Sequence, residues 1–127
     1  MTGLDTNVLV RYILQDDPAQ ARRATETIES GEDFYIDSVV LAELGWVLER
    51  GYKRQRGDVA EALEKIMRAD AFSLERAELA RLALDDYRAG HGDFADALIA
   101  HAALDAGCEA VLTFDKGLKR MPGFRQL

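Results

Sequence analysis

Short β-prone runs alternate with helical patterns from one end of this chain to the other, and that alternation limits the folds open to it. Gly3-Leu4 reads as a short strand running into Asp5, and Val8 to Leu14 as a helix ending near Gln15-Asp16. Asp17-Pro18 supplies an N-cap followed by proline at the first helical position, and Ala21, Ala24 and Ile28 then recur at helical spacing until Gly31. Phe34-Tyr35-Ile36 is a brief β-prone run before Asp37-Ser38, a pair suited to capping. Val39 to Glu49 is apolar on nearly every face, which predicts a buried helix. A stripe of Val59, Ala62, Leu63, Ile66 and Met67 predicts a helix from about Asp58, Phe72-Ser73-Leu74 a strand, and Leu79, Leu82, Ala83 and Tyr87 a helix over 75–89. Asp93 to Ala106 is the last long helix, Ala110 to Phe114 the clearest strand, and Phe124 to Leu127 a short edge strand. This order predicts an α/β fold, a three-layer α/β/α sandwich around a mostly parallel sheet of roughly five strands.

A chain of 127 residues can bury one core and is short for two, so residues 1–127 are expected to form a single domain. No run approaches the ~18 apolar residues of a membrane helix, and the N-terminus lacks the basic-then-apolar plan of a signal peptide; a soluble cytoplasmic protein is expected, with no membrane partner. The one cysteine, Cys108, lies in an alanine-rich segment and is expected to be a small buried hydrophobe. His91 and His101 have no zinc-ligand spacing with it. A formal charge of −7 opposes indiscriminate nucleic-acid binding, unless several acids gather around cations that then face the phosphate. Two basic runs remain for a polyanion: Arg50, Lys53, Arg54 and Arg56, and Lys116, Lys119, Arg120 and Arg125.

Four acids stand where composition alone would not put them. Asp5 directly follows the first strand, although Asp-Thr-Asn also suits a helix N-cap. Glu43 is a lone carboxylate among Val39, Val40, Leu41, Ala42, Leu44, Trp46 and Val47; on a buried helix it must be paired, with Arg11 or Arg50, or protonated, or bound to a cation. Asp96 looks inward from the first turn of an apolar helix that Asp93 caps, the two acids facing the same side. Asp115 ends the strand Val111 to Phe114, a common place for a turn aspartate but one from which it can share a crevice with Asp5. Carboxylates that converge without basic partners repel one another and rise in pKa, a conflict that a divalent cation resolves. Oxygen-only ligands favour Mg2+ or Mn2+, and such a site suits phosphodiester hydrolysis without a nucleophilic serine or cysteine.

Four segments together carry a family resemblance: Leu4 to Arg11 (LDTNVLVR), Ser38 to Leu44 (SVVLAEL), Asp93 to Ala100 (DFADALIA) and Leu112 to Asp115 (LTFD). Each is weak alone; in this order the chain resembles PIN-domain ribonucleases, in particular toxins of the VapC type. The resemblance implies an acidic metal site of Asp5, Glu43, Asp96 and Asp115, with Asp5 and Asp96 as direct ligands. It implies supporting roles for Thr6 and Asn7, and an acid near the site in Asp93. It further implies Mg2+- or Mn2+-dependent endonucleolytic cleavage of RNA, commonly transfer RNA, and a homodimer. A VapB-type antitoxin would hold its tail in the active-site groove and bind promoter DNA with its other end.

Two other classes compete. A metal-dependent phosphatase or phosphoacceptor domain also gathers acids at strand ends, but it needs a nucleophilic aspartate, usually in an Asp-x-Asp pair where this chain has Asp5-Thr6-Asn7, and it has no place for Glu43. A PIN-like binding module without catalysis would have no need of all four acids.

Overall fold

The computed structural model describes residues 1–127. Its elements run β1 (Thr2–Gly3), α1 (Thr6–Leu14), α2 (Pro18–Ile28), β2 (Phe34–Ile36), α3 (Ser38–Trp46), α4 (Arg56–Arg68), β3 (Phe72–Leu74), α5 (Ala77–Ala89), α6 (Phe94–Asp105), β4 (Val111–Thr113) and β5 (Phe124–Gln126). The alternation read from the sequence is therefore the architecture. The strands pair only in parallel, as β1-β2-β3 and as β4-β5, so the expected sheet of about five strands is hydrogen-bonded as two ladders, of three and of two. Thr2 lies opposite Phe34 and Phe34 opposite Phe72, which brings the carboxyl ends of β1, β2 and β3 to one edge.

Parallel strands need long crossovers, and the helices supply them. Asp17 caps α2, its carboxylate accepting from the Gln20 amide at 3.1 Å, with Pro18 at the first position, as the sequence predicts. Helix α1 begins at Thr6 rather than Val8, because the Asp5 side chain accepts from the Thr6 amide at 2.9 Å and caps the helix there. Asp37 caps α3 through the Val40 amide at 2.7 Å. The helices pack in a chain in which α2 lies on α1, α1 on α3, α3 on α6, α6 on α5 and α5 on α4. Gly45 permits the close approach of α3 and α6: a Cβ there would stand 3.3 Å from the Phe94 side chain.

A core of 23 buried residues runs through this assembly, with Leu9, Leu44, Leu63, Ala83, Leu84, Tyr87 and Ala97 fully enclosed. Three expectations about burial fail. Helix α3 is not buried all round, since Val39 is 73% and Trp46 49% exposed and Glu43 is exposed with them. Leu82, placed in the apolar stripe of its helix, is 48% exposed on α5. Cys108 is exposed in the turn after α6, not packed as a small hydrophobe. The common cause is that hydrophobicity measures a preference for leaving water, while the neighbours that would satisfy it are set by tertiary packing. No helix is long and apolar enough to cross a membrane.

Candidate active site

An acid follows four of the five strands: Asp37 directly after β2, Glu75 directly after β3 and, one residue on, Asp5 after β1 and Asp115 after β4. Parallel sheets place such residues at the edge where crossovers diverge. Two of them serve the backbone. Asp37 caps α3, and the Glu75 carboxylate accepts from the Ser38 amide at 2.9 Å, so both hold the start of that helix.

Asp5 and Glu43 are linked through Thr6. The Thr6 side chain is buried, and its hydroxyl donates to Glu43 Oε1, tying the first turn of α1 to the middle of α3. The two partners are 37 residues apart, and nothing local in the sequence signals the bond. Arg11 and Arg50, the partners weighed for Glu43, are elsewhere. Arg11 binds Asp16 at 3.1 Å, Gln20 at 2.7 Å and the Tyr52 hydroxyl at 3.0 Å. Arg50 sits in the wide π-type turn Val47–Gly51 that prolongs α3, stacks on Trp46 at 4.8 Å and lies 3.6 Å from the Asp93 carboxylate.

Asp93 and Asp96 form a reciprocal cap at the start of α6. The Asp96 amide donates to Asp93 Oδ1 at 2.8 Å, and the Asp93 amide donates to Asp96 Oδ2 at 3.3 Å. Burial, then the Asp93 carboxyl and the charge of Asp115, push the Asp96 carboxyl up to about 6. Asp115 is exposed and caps the single turn Lys116–Leu118 by accepting from the Gly117 amide at 2.8 Å. The same segment packs on the loop before α6, where a Cβ on Gly92 would stand 2.7 Å from Met121 and 2.8 Å from Leu118.

Hydrogen bonds thus join the acids in two sets, Asp5 and Glu43 through Thr6, and Asp93 with Asp96. No three carboxylates converge closely enough to grip one ion by themselves. A fully protein-made cage is absent. Mg2+ does not require one, because it typically keeps several waters and takes one or two carboxylates directly, so an all-oxygen, solvent-exposed edge of this kind suits its chemistry.

The residues named for a polyanion have varied surroundings. Arg56 is half-buried: its guanidinium donates to the carbonyls of Tyr87 and Gly92 at 2.8 and 2.6 Å and stacks on the Tyr87 ring at 4.5 Å, so it fastens the loop that leads to Asp93. Lys53, Lys116 and Lys119 are exposed and enter no ion pair. Arg54 lines a cavity of about 720 Å³ between α1, α2 and α4 that none of the candidate acids borders. Asn7 is exposed in the first turn of α1 and borders a smaller cleft between α1 and α2. Sequence reasoning did not assign that cleft; its only signal is the helical spacing of Gln20, Arg23 and Thr27.

Comparison with known proteins identifies the family. The PIN domain family model matches residues 4–123. A VapC ribonuclease of Aquifex aeolicus (strain VF5) is 31% identical over 133 aligned positions, which cover 98% of this chain and 94% of that protein.

Proposed function

This chain belongs to the PIN-domain family, as a toxin of the VapC type, and on that premise we propose that it is an endoribonuclease that hydrolyses RNA phosphodiester bonds with a divalent cation. The observation that carries the reading is Asp96, a partly buried carboxyl raised to about 6 by burial and by two neighbouring acids, with no cation paired to it. A group held in that state gains from a divalent ion at its side.

Asp5 and Asp96 are the residues to hold Mg2+ or Mn2+, with Glu43 and Asp115 completing the acidic edge, directly or through water. When bound, such an ion supplies Lewis acidity toward the phosphate and a more acidic water. The chain's own contribution is positional. Thr6 fixes the Glu43 carboxylate through its hydroxyl, and the Asp93 amide fixes the Asp96 carboxylate while the Asp93 carboxylate accepts from the Asp96 amide. Arg56 fastens the loop from which both Asp93 and Asp96 start. Asp5 and Asp115 are exposed, which leaves the edge open to a strand of RNA. Lys116 and Lys119 flank Asp115, and Arg50 and Lys53 approach from the end of α3, as weaker candidates for phosphate contact.

In this reading the chain is the toxin of a toxin-antitoxin pair. A VapB-type antitoxin blocks the acidic groove and carries promoter-DNA binding for the complex. Helices α3 and α6 pack together and leave Val39, Trp46 and Ile99 exposed, which supports a homodimer that covers them. Structured RNA, transfer RNA among it, is the substrate class to test first.

The test is cleavage by protein freed from any antitoxin, read in a whole-cell transcript survey with Mg2+ or Mn2+. Cutting should stop with a chelator, and Asp5→Asn and Asp96→Asn should each abolish it while circular dichroism stays that of the wild type. A wild type that binds no divalent ion and cuts no transcript ends the assignment.

A further inference from the structure

The acidity of this chain raises the question of what attracts an RNA strand to an edge made of carboxylates. Most of its arginines are already engaged. Arg50 lies against Trp46 and Asp93, and Arg56 against Tyr87 and two carbonyls. Arg68, Arg81 and Arg88 surround Glu64, and Arg76 holds Glu78 and Asp105. One cleft is different. It has a volume of about 350 Å³ and lies along one edge of the contact between α1 and α2. Successive turns of each helix contribute to it, Asn7 and Arg11 from α1, and Gln20, Arg23 and Thr27 from α2. Leu4 and Asn7 also line it, the residues on either side of Asp5 and Thr6.

Its donors are arranged for an anion. The Arg11 guanidinium is held in place by Gln20, Asp16 and Tyr52, and Asp16 offsets its charge. Arg23 is exposed, has no carboxylate within ion-pair distance and makes no side-chain hydrogen bond, so its planar fork is free beside the Asn7, Gln20 and Thr27 side chains. Arginine forks grip phosphate through two parallel hydrogen bonds, and Asn, Gln and Thr are common donors to phosphate oxygens. Val8 and Ala24 supply apolar lining, and no carboxylate is among the lining residues.

We propose that the α1–α2 cleft is a subsite for an RNA backbone phosphate adjoining the bond to be cut, with Arg23 as its free cation. The proposal rests on the ribonuclease reading and adds to it the path of the strand: past Asp5, over Asn7 and onto the face of α2. Phosphate contacts of this kind position a strand without reading its bases, so the subsite sets register and affinity rather than sequence preference.

The experiment uses the full chain, freed of antitoxin, in a chelator so that no cutting occurs. A fluorescein-labelled single-stranded RNA of mixed sequence is titrated by anisotropy between about 50 and 200 mM salt, the range over which phosphate contacts show their salt dependence. Arg23→Gln should weaken binding about three- to tenfold and lower the slope of log affinity against log salt by about 0.7, the loss of one single-strand phosphate contact. Arg22→Gln, the same charge change on the neighbouring exposed residue outside the cleft, should leave both unchanged. Arg23→Lys should keep the slope and part of the affinity. With Mg2+ present, Arg23→Gln should raise KM with kcat unchanged, and Mn2+ binding followed by electron paramagnetic resonance should match the wild type. Equal effects of Arg22→Gln and Arg23→Gln would reduce the cleft to general electrostatics and overturn the subsite. So would a wild-type slope in Arg23→Gln. Either result leaves the ribonuclease reading standing if the wild type cuts RNA, whereas a wild type that cuts none defeats that reading independently.

Discussion

Asp96 shows at the scale of one residue how a site can be held against the preference of its own side chain. Burial and two acids raise its carboxyl to about 6, from an ordinary value near 4, so the metal-free folded state binds a proton more tightly than the unfolded chain does. The stability this gives is fully present below about pH 4 and is lost as pH rises through about 6. At neutral pH the ionised, partly buried carboxylate is a net strain. Asp96→Asn removes the charge and should stabilise the metal-free protein at pH 7.5 by about 1 kcal/mol after allowance for solvent screening, or roughly 3–5 °C in Tm. The gain should shrink toward zero at pH 4, where the wild type is protonated as well. Thermal melts of both proteins in a chelator across that range decide it; a mutant less stable than the wild type at pH 7.5 contradicts it. The sequence shows Asp96 as an inward acid and Asp93 as its cap from their spacing alone. It does not show the Thr6 to Glu43 bond, because that contact depends on how α1 lies on α3.

Among the elements, α4 and α5 are joined across their outer face by one carboxylate and three arginines. Glu64 accepts from Arg81 and Arg88 at 2.9 Å and lies 3.3 Å from Arg68. Hydrogen bonds from Arg81 and then Arg88 lower its carboxyl to about 2. A depressed carboxylate contributes stability above its unfolded value, near 4.5, and loses it as pH falls toward 2. Because the arginines are themselves largely exposed, the contribution is modest, about 1 kcal/mol. Glu64→Gln should therefore lower Tm by about 2–5 °C at pH 7, with a smaller deficit in 1 M salt and below pH 3. Equal melting of mutant and wild type at low salt would mean that α4 and α5 are held by their apolar contact alone. At this scale the sequence is most legible where local chemistry decides: the Asp17-Pro18 start of α2, the Asp93 cap of α6, and the strands Phe34–Ile36 and Phe72–Leu74. It is least legible for α3, whose apolar circumference reads as full burial but leaves Val39 and Trp46 in water.

For the whole molecule, those exposed apolar faces and the formal charge of −7 lead to two behaviours. Self-association through α3 and α6 would cover Val39, Trp46 and Ile99. Ile99→Glu places a charge on that surface, so if the wild type forms the proposed homodimer, its mass by light scattering should fall from two chains toward one; an unchanged dimer mass excludes this face as the interface. The net charge keeps general attraction for nucleic acid low, so RNA binding should depend on a few local contacts and fall steeply with salt.

The sequence by itself determined the order of strands and helices, the caps that start α2, α3 and α6, and the positions of acids after strands, because each depends on residues within a turn or two of one another. The family pattern from Leu4 to Asp115 is likewise a property of order along the chain. Only the tertiary structure decided that Glu43 bonds Thr6, that Arg56 braces the loop before Asp93, and that Arg23 faces a cleft with its donors free. Those facts join residues far apart in sequence, and packing sets their distances. Side-chain spacing fixes which face of a helix a residue occupies, while the neighbour brought to that face determines whether its charge is paired, raised or left open to a ligand.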